Sequence, residues 1–310
     1  MIIDCDAHFT PTLPCQGSTS ACSWLQSYLD RKKDRFSDAE KRVAELEMLG
    51  VDKQILNPMG VSLKLFYDID PAIAGEVMRT YNDTMHEITK PHAALQNNLW
   101  LALQDLDACI HEIDRMKDSG YFAVHVSEVP CWGLLNHLEP LWHKLNTSLV
   151  PLYVHLTTGH DDLPQSIKLN QQQTQLSNLL GNRWMFSLST IITSGLLDRY
   201  PELRIVVAER DIDWIPDFVN HIESVHDVDA LFYIRRNFWF TTEPEMPHFK
   251  NAVKYLGADR LLFATDWPHD HDIGGANSRY DVKTMQLLDL TSQEKQLICA
   301  GNYQYLSNRK

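Results

Sequence analysis

Eight short apolar runs recur along the chain with almost no polar alternation: MIIDC (1–5), KQILN (53–57), NLWLAL (98–103), YFAVHV (121–126), PLYVHL (151–156), RIVVAE (204–209), NFWFTT (237–242) and RLLFAT (260–265). A strand wet on one side alternates, so runs of this kind read as strands of a parallel sheet covered on both faces. Helical spacing fills the intervals. DAEKRVAELEMLG sets Val43, Leu46 and Leu49 on one side and stops at Gly50, DLDACIHEIDRMKDSG runs to Gly120, and SGLLDRYPELR joins a helix to a strand. Strand and helix alternating in this way predict an α/β fold, a (β/α)8 TIM barrel, with a doubly wound open sheet as the competing arrangement. The 310 residues are then one domain over 1–310. The surplus over a barrel of about 250 residues falls mainly at 12–36 and 157–181, each directly after a strand. Both insertions are expected as βα loops walling the catalytic face.

Composition narrows the ligands. With 41 Asp and Glu against 28 Lys and Arg, the net charge of −13 repels nucleic-acid phosphate and anionic membrane and favours small molecules or cations. No apolar run approaches the length of a membrane span, and the opening MIIDCDAHF has no basic segment, so a cytoplasmic protein is expected. The six cysteines, Cys5, Cys15, Cys22, Cys109, Cys131 and Cys299, form no CxxC pair and read as reduced, packed thiols. Cys5 stands out, beside candidate ligands in the first strand.

Barrel active sites gather where strands end. The first strand ends in DCDAHF, and in an extended chain Asp6 and His8, two apart, point to the same side. The fifth ends at His155 and the eighth at Asp266, followed by WPHDHD. Two imidazoles and two carboxylates converging on one point form a ligand set for one divalent metal ion. Singly, each such residue is more often structural; together and in this order they point to ligation. Glu209, at the end of the sixth run, reads either as an acid/base carboxylate or extra ligand aimed at the metal, or as a salt-bridge partner of Arg210 or a neighbouring strand end. His125, within the fourth run, reads as an inward substrate contact or as a satisfied histidine between barrel and helices. His160 is a candidate lid residue. Trp132 and Trp267 are candidates to line a pocket for a flat substrate, whereas Trp214 reads as packing.

These residues carry a resemblance. IIDCDAHFTP, PLYVHL, LLDRYPELRIVVAE followed by DWIP, FATDWPHD and the closing GNYQYL resemble the amidohydrolase superfamily, in the branch containing aminocarboxymuconate-semialdehyde decarboxylase and γ-resorcylate decarboxylase. RTYND (79–83) resembles the branch's helix after the second strand. The resemblance spans nearly the whole chain and implies a distorted barrel with one metal. No lysine ends the fourth run, YFAVHVSE, where binuclear members carry one. It also implies that His269, in the segment after Asp266, positions that Asp or the substrate, and that the chain forms a homodimer. Two departures stand out. Asp6-Ala7-His8 replaces the H-x-H or E-x-H of many members, and the harder donor set tilts the metal toward Mn²⁺ over Zn²⁺. Ala208-Glu209 stands where the branch's decarboxylases carry a histidine.

Two chemistries are open to such a site. In the first, a small oxo- or hydroxy-aromatic carboxylate loses CO₂ as Glu209 or Asp266 protonates carbon. In the second, an amide, lactone or activated C–C bond is hydrolysed with Asp266 taking the proton. The resemblance puts the carboxy-lyase first, while the missing histidine favours the hydrolase. A barrel that binds a small molecule without turnover is the third reading, and the intact ligand set argues against it.

Overall fold

A computed structural model describes residues 1–9, 11, 38–58, 70–127, 138–155, 171, 183–208, 212–244, 249–267 and 278–309, and the structural statements below concern these. Nine parallel strand segments form the sheet: β1 (Ile3–Phe9), β2 (Lys53–Pro58), β3 (Leu95–Asn97), β4 (Leu99–Trp100), β5 (Val124–Ser127), β6 (Leu152–His155), β7 (Ile205–Ala208), β8 (Phe238–Thr242) and β9 (Leu261–Phe263). They pair in chain order as β1-β2-β3 and β4-β5-β6-β7-β8-β9. β3 and β4 are one stave broken at Asn98. There Asn98 N–H donates to the Leu56 carbonyl on one side, while Phe122 N–H donates to Asn97 and Leu99 N–H to Ala123 on the other. The ring closes beyond β9, where Asp266 N–H donates to the Asp6 carbonyl (3.0 Å) and His8 N–H to that of Trp267 (2.7 Å). The eight expected staves are thus present as an α/β barrel.

Several boundaries differ from the sequence reading. β1 runs on through DAHF because those polar side chains meet an interior that accepts them. The third run pairs from Leu95 and stops at Trp100, so Ala102 and Leu103 follow the strand although Leu101 and Ala102 are buried. Asp266 lies past the end of β9, in a turn with a left-handed φ of 49°.

Alternation inside and outside the barrel explains why the runs looked unpatterned. Leu152 and Val154, Ile205 and Val207, Phe238 and Phe240, and Leu261 and Phe263 join the outer core against the helices. Tyr153, Val206, Trp239 and Leu262 fill the interior with Ile3, Cys5, Ile55 and Phe122. Both faces are therefore apolar for most of each strand's length. In β1 the register shifts between Asp4 and Ala7. Ile3 and Cys5 belong to the interior cluster below the shift, and Ala7 and Phe9 to the outer core above it, which turns Asp6 and His8 inward.

The first helix, α1 (Ala39–Leu49), is capped by Asp38, whose side chain accepts from Lys41 N–H, and ends on Gly50 in the left-handed conformation, φ 72°. Leu46 is buried as the spacing suggested, but so is Arg42. α2 (Pro71–Thr89) carries the RTYND segment. Its Asn82 donates to the Trp100 carbonyl and accepts from Trp100 N–H, covering the backbone of the short β4 segment. The C-terminal segment closes the barrel floor. Ala300 and Leu306 join the interior cluster, Tyr303 stacks on Phe122 at 5.1 Å, and the Arg204 guanidinium donates to the carbonyls of Tyr305, Leu306 and Asn308. Among the described residues no helix is long and apolar enough to cross a membrane.

Candidate metal centre

Above the apolar floor the barrel interior turns polar. One imidazole or carboxylate donor atom from each of Asp6, His8 and His155 lies within 4.8 Å of the others, all three residues being buried. His8 Nε2 and His155 Nε2 face each other at 3.5 Å with their rings edge to face. Two ring nitrogens at that separation share one proton at most. With the Asp6 carboxylate beside them they gather lone pairs that a divalent cation satisfies, so the residues present fit such an ion. Asp266 joins from the turn after β9, its Oδ1 3.2 Å from His8 Nε2. Its side chain is 14% exposed against 1% for His8, so it forms the wet edge of the cluster. An aspartate tolerates the left-handed backbone of this turn better than most residues.

The Asp6 carboxylate is held on both oxygens. Asn57 Nδ2 donates to Oδ1 at 2.7 Å, and Thr241 Oγ1 lies 3.2 Å from Oδ2. Asn57 is oriented in turn, because its Oδ1 accepts from Asn98 Nδ2 at 2.6 Å and Asn98 Oδ1 accepts from Ala123 N–H. The break in the third stave thus supplies the residue that aims an amide at Asp6. The Tyr153 hydroxyl donates to the Cys5 carbonyl, and burial with the Asp6 charge pushes its phenol well above its ordinary range, so it stays neutral.

A second polar group lies on the other face of β1. Burial pushes the Asp4 carboxyl up to about 6, although hydrogen bonds from Gln54 and Thr265 and the charge of Arg42 pull it down. This cluster was not legible in the sequence. An Asp-x-Asp-x-His run shows which residues are polar, but only the register shift sends Asp4 outward and Asp6 inward.

The other candidates fall differently. His125, 1% exposed, stacks on Tyr153 (centroids 5.7 Å) and lies 5.5 Å from the His155 ring, in the polar layer. The Trp267 ring packs with the outer core, the Arg42 guanidinium 3.9 Å from its centroid. Trp214 packs edge to face on Phe218 and Phe240. Glu209, His269, Trp132 and His160, like both insertions apart from residue 171, lie outside the described residues, as do Cys15, Cys22 and Cys131.

Comparison with known proteins adds to this geometry. A family model described as amidohydrolase matches residues 3–302. A γ-resorcylate decarboxylase from Polaromonas sp. strain JS666 is 26% identical over 263 residues, 75% of this chain and 77% of its own. The crystal structure of a dihydroxybenzoic acid decarboxylase from Polaromonas sp. JS666, with manganese and the inhibitor 2-nitroresorcinol, superposes with a TM-score of 0.73 at 21% identity, covering 99% of this chain and 96% of that one. A 2,6-dihydroxybenzoate decarboxylase from Rhizobium gives 0.74 at 20% identity, covering 99% and 98%. At these identities the structural likeness establishes the barrel fold.

Proposed function

The chain belongs to the amidohydrolase family, and from that premise we propose that it is a metal-dependent carboxy-lyase that removes CO₂ non-oxidatively from a small hydroxy-aromatic carboxylate. The observation that carries the reading is the convergence of Asp6, His8 and His155, with Asp266 against His8, at the C-terminal mouth of the barrel. The decarboxylases similar to this chain support the substrate class, and the neighbour with bound manganese supports the metal.

In this reading Asp6, His8, His155 and Asp266 hold one divalent ion, Mn²⁺ or Zn²⁺, the two carboxylates favouring the harder Mn²⁺. When bound, the ion supplies Lewis acidity toward a substrate phenol or carboxylate oxygen. The chain's own residues do the rest. Asn57 and Thr241 hold the Asp6 carboxylate in place. The apolar floor of Cys5, Phe122, Trp239 and Leu262 keeps water from below. His125 stands beside the ligands as a wall for the aromatic ring. Loss of CO₂ needs one proton delivered to the ring carbon that bears the carboxylate; the C–C bond then breaks and its electron pair restores the aromatic ring. Asp266, at the wet edge, and Glu209, next after β7, are the carboxyl groups assigned to carry that proton. His269, in the segment after Asp266, is assigned to position it.

One observation favours hydrolysis instead. β7 ends at buried Ala208, which has no proton to give, and Glu209 follows where the resemblance implies a histidine. The test is CO₂ release from 2,6-dihydroxybenzoate and related hydroxybenzoates by manganese-loaded protein. Stoichiometric CO₂ and phenol support the carboxy-lyase; no release, with turnover of amides or lactones, replaces it by the hydrolase.

A further inference from the structure

The turn bearing Asp266 is gripped on both flanks by groups that reach it from outside the barrel. On one flank Thr265 N–H donates to Asp4 Oδ1 (3.0 Å) and its hydroxyl to Asp4 Oδ2 (2.7 Å). On the other, Trp267 N–H donates to the same Thr265 hydroxyl (3.2 Å). Asp4 is held by Gln54 Nε2 at 2.6 Å, and Gln54 Oε1 accepts from Arg42 Nε at 2.6 Å. The Arg42 guanidinium, from α1, then sits over the Trp267 indole, 3.9 Å from its centroid, and donates to Glu45. The path is a closed circuit: Arg42 to Gln54 to Asp4 to Thr265 to the Trp267 backbone, and from the Trp267 ring back to Arg42. Asp266 is the one residue between the two flanks, and it alone on this turn adopts a left-handed backbone.

A buried guanidinium costs several kcal/mol of desolvation, so a salt bridge to half-buried Glu45 is a poor reason for it to be there. Fixing a turn is a better one. A left-handed aspartate relaxes unless its surroundings over-determine it, and its carboxylate would swing away from His8 if it did.

On the reading of the metal centre given above, we infer that Arg42, Gln54, Asp4 and Thr265 are positioning residues for Asp266. They act through the Thr265 and Trp267 backbone to hold the Asp266 carboxylate at the metal, and none of them touches substrate.

The test uses the full chain with Arg42→Met, which keeps most of the packing volume, Arg42→Lys, and Thr265→Val, which deletes the hydroxyl link at nearly constant shape. Mn²⁺ affinity is measured by chelator competition on folded protein, alongside kcat and KM. The expected result is Mn²⁺ binding weakened about tenfold or more in Arg42→Met and Thr265→Val, the range seen when groups behind metal ligands are removed, with kcat falling and KM nearly unchanged. Arg42→Lys should not rescue, because an ammonium cannot both stack on the indole and reach Gln54 in one plane. In an Asp266→Asn background the Thr265→Val effect on affinity should vanish, since the two changes act through one group. Wild-type protein that binds Mn²⁺ and turns over, with Thr265→Val folded and equal to it in affinity and kcat, overturns the relay alone. Wild-type protein that takes up neither Mn²⁺ nor Zn²⁺ overturns the metal-centre reading and the relay with it.

Discussion

His8 and Asp266 meet across the closing seam of the barrel: Nε2 of one lies 3.2 Å from Oδ1 of the other, although 258 positions separate them. The same two segments exchange backbone hydrogen bonds, so the contact that closes the barrel also completes the candidate ligand set. Changing Asp266 to Asn keeps a residue type that tolerates the left-handed turn but removes the charge. The variant should fold with little loss of thermal stability, bind Mn²⁺ more weakly and lose decarboxylation by about 100-fold or more, as expected when a carboxylate acting in proton transfer is removed. Turnover near that of wild type would remove Asp266 from the chemistry.

Asn57 presents its amide to Asp6 because Asn98 occupies its carbonyl oxygen. Asn57→Leu deletes the donor at similar volume and strands the Asn98 amide. Metal affinity should drop by roughly 10- to 100-fold, and unfolding by denaturant should show a loss of about 1–3 kcal/mol for the unpaired buried groups. An unchanged affinity would mean that Thr241 alone suffices to hold Asp6.

Asn82 serves the fold rather than the site. Its side chain closes both hydrogen bonds of Trp100 and also donates to Glu112. Asn82→Leu leaves the Trp100 N–H and carbonyl without those partners, and a chemical denaturation curve should show a loss of about 2–3 kcal/mol. Metal stoichiometry in the surviving folded protein should be unchanged, which separates this effect from that of Asn57.

Cys5, Cys109 and Cys299 are all buried, at 1%, 0% and 8% exposure. Burial pushes the Cys299 thiol up to about 11 and the Cys109 thiol above its ordinary range. At pH 8 both therefore remain protonated and inaccessible, and with Cys5 they should resist alkylation in native protein and react after unfolding. Peptide mapping by mass spectrometry after a brief iodoacetamide pulse reads this directly. Rapid native labelling of Cys109 would contradict the packing described.

Much of the barrel was legible because its determinants are local. Unpatterned apolar runs separated by helical spacing give a parallel sheet covered on both faces, and strand ends give the place to look for chemistry. Asp6, His8 and His155 emerge from that logic. What stayed hidden is tertiary. Arg42 sits among charged residues of an amphipathic helix and reads as a solvated side chain; only the fold brings Trp267 and Gln54 to it. Asp4 and Asp6 share one alternation pattern, and the register shift between Asp4 and Ala7 is what divides them between two networks. Asn98 looked like the start of the third strand and is its break, because its side chain bonds to Asn57 and Ala123 and its N–H to Leu56, while both its neighbours bond to the segment before β5.

The central claim is that the strand-end cluster holds one catalytic divalent ion. Elemental analysis of wild type and His155→Ala, purified in parallel without added metal or chelator, tests it most directly. About one equivalent of Mn²⁺ or Zn²⁺ per wild-type chain is expected, the stoichiometry of a mononuclear site, with its loss from a folded His155→Ala variant. Wild type without metal even after reconstitution, or a variant that retains a full equivalent, would contradict it.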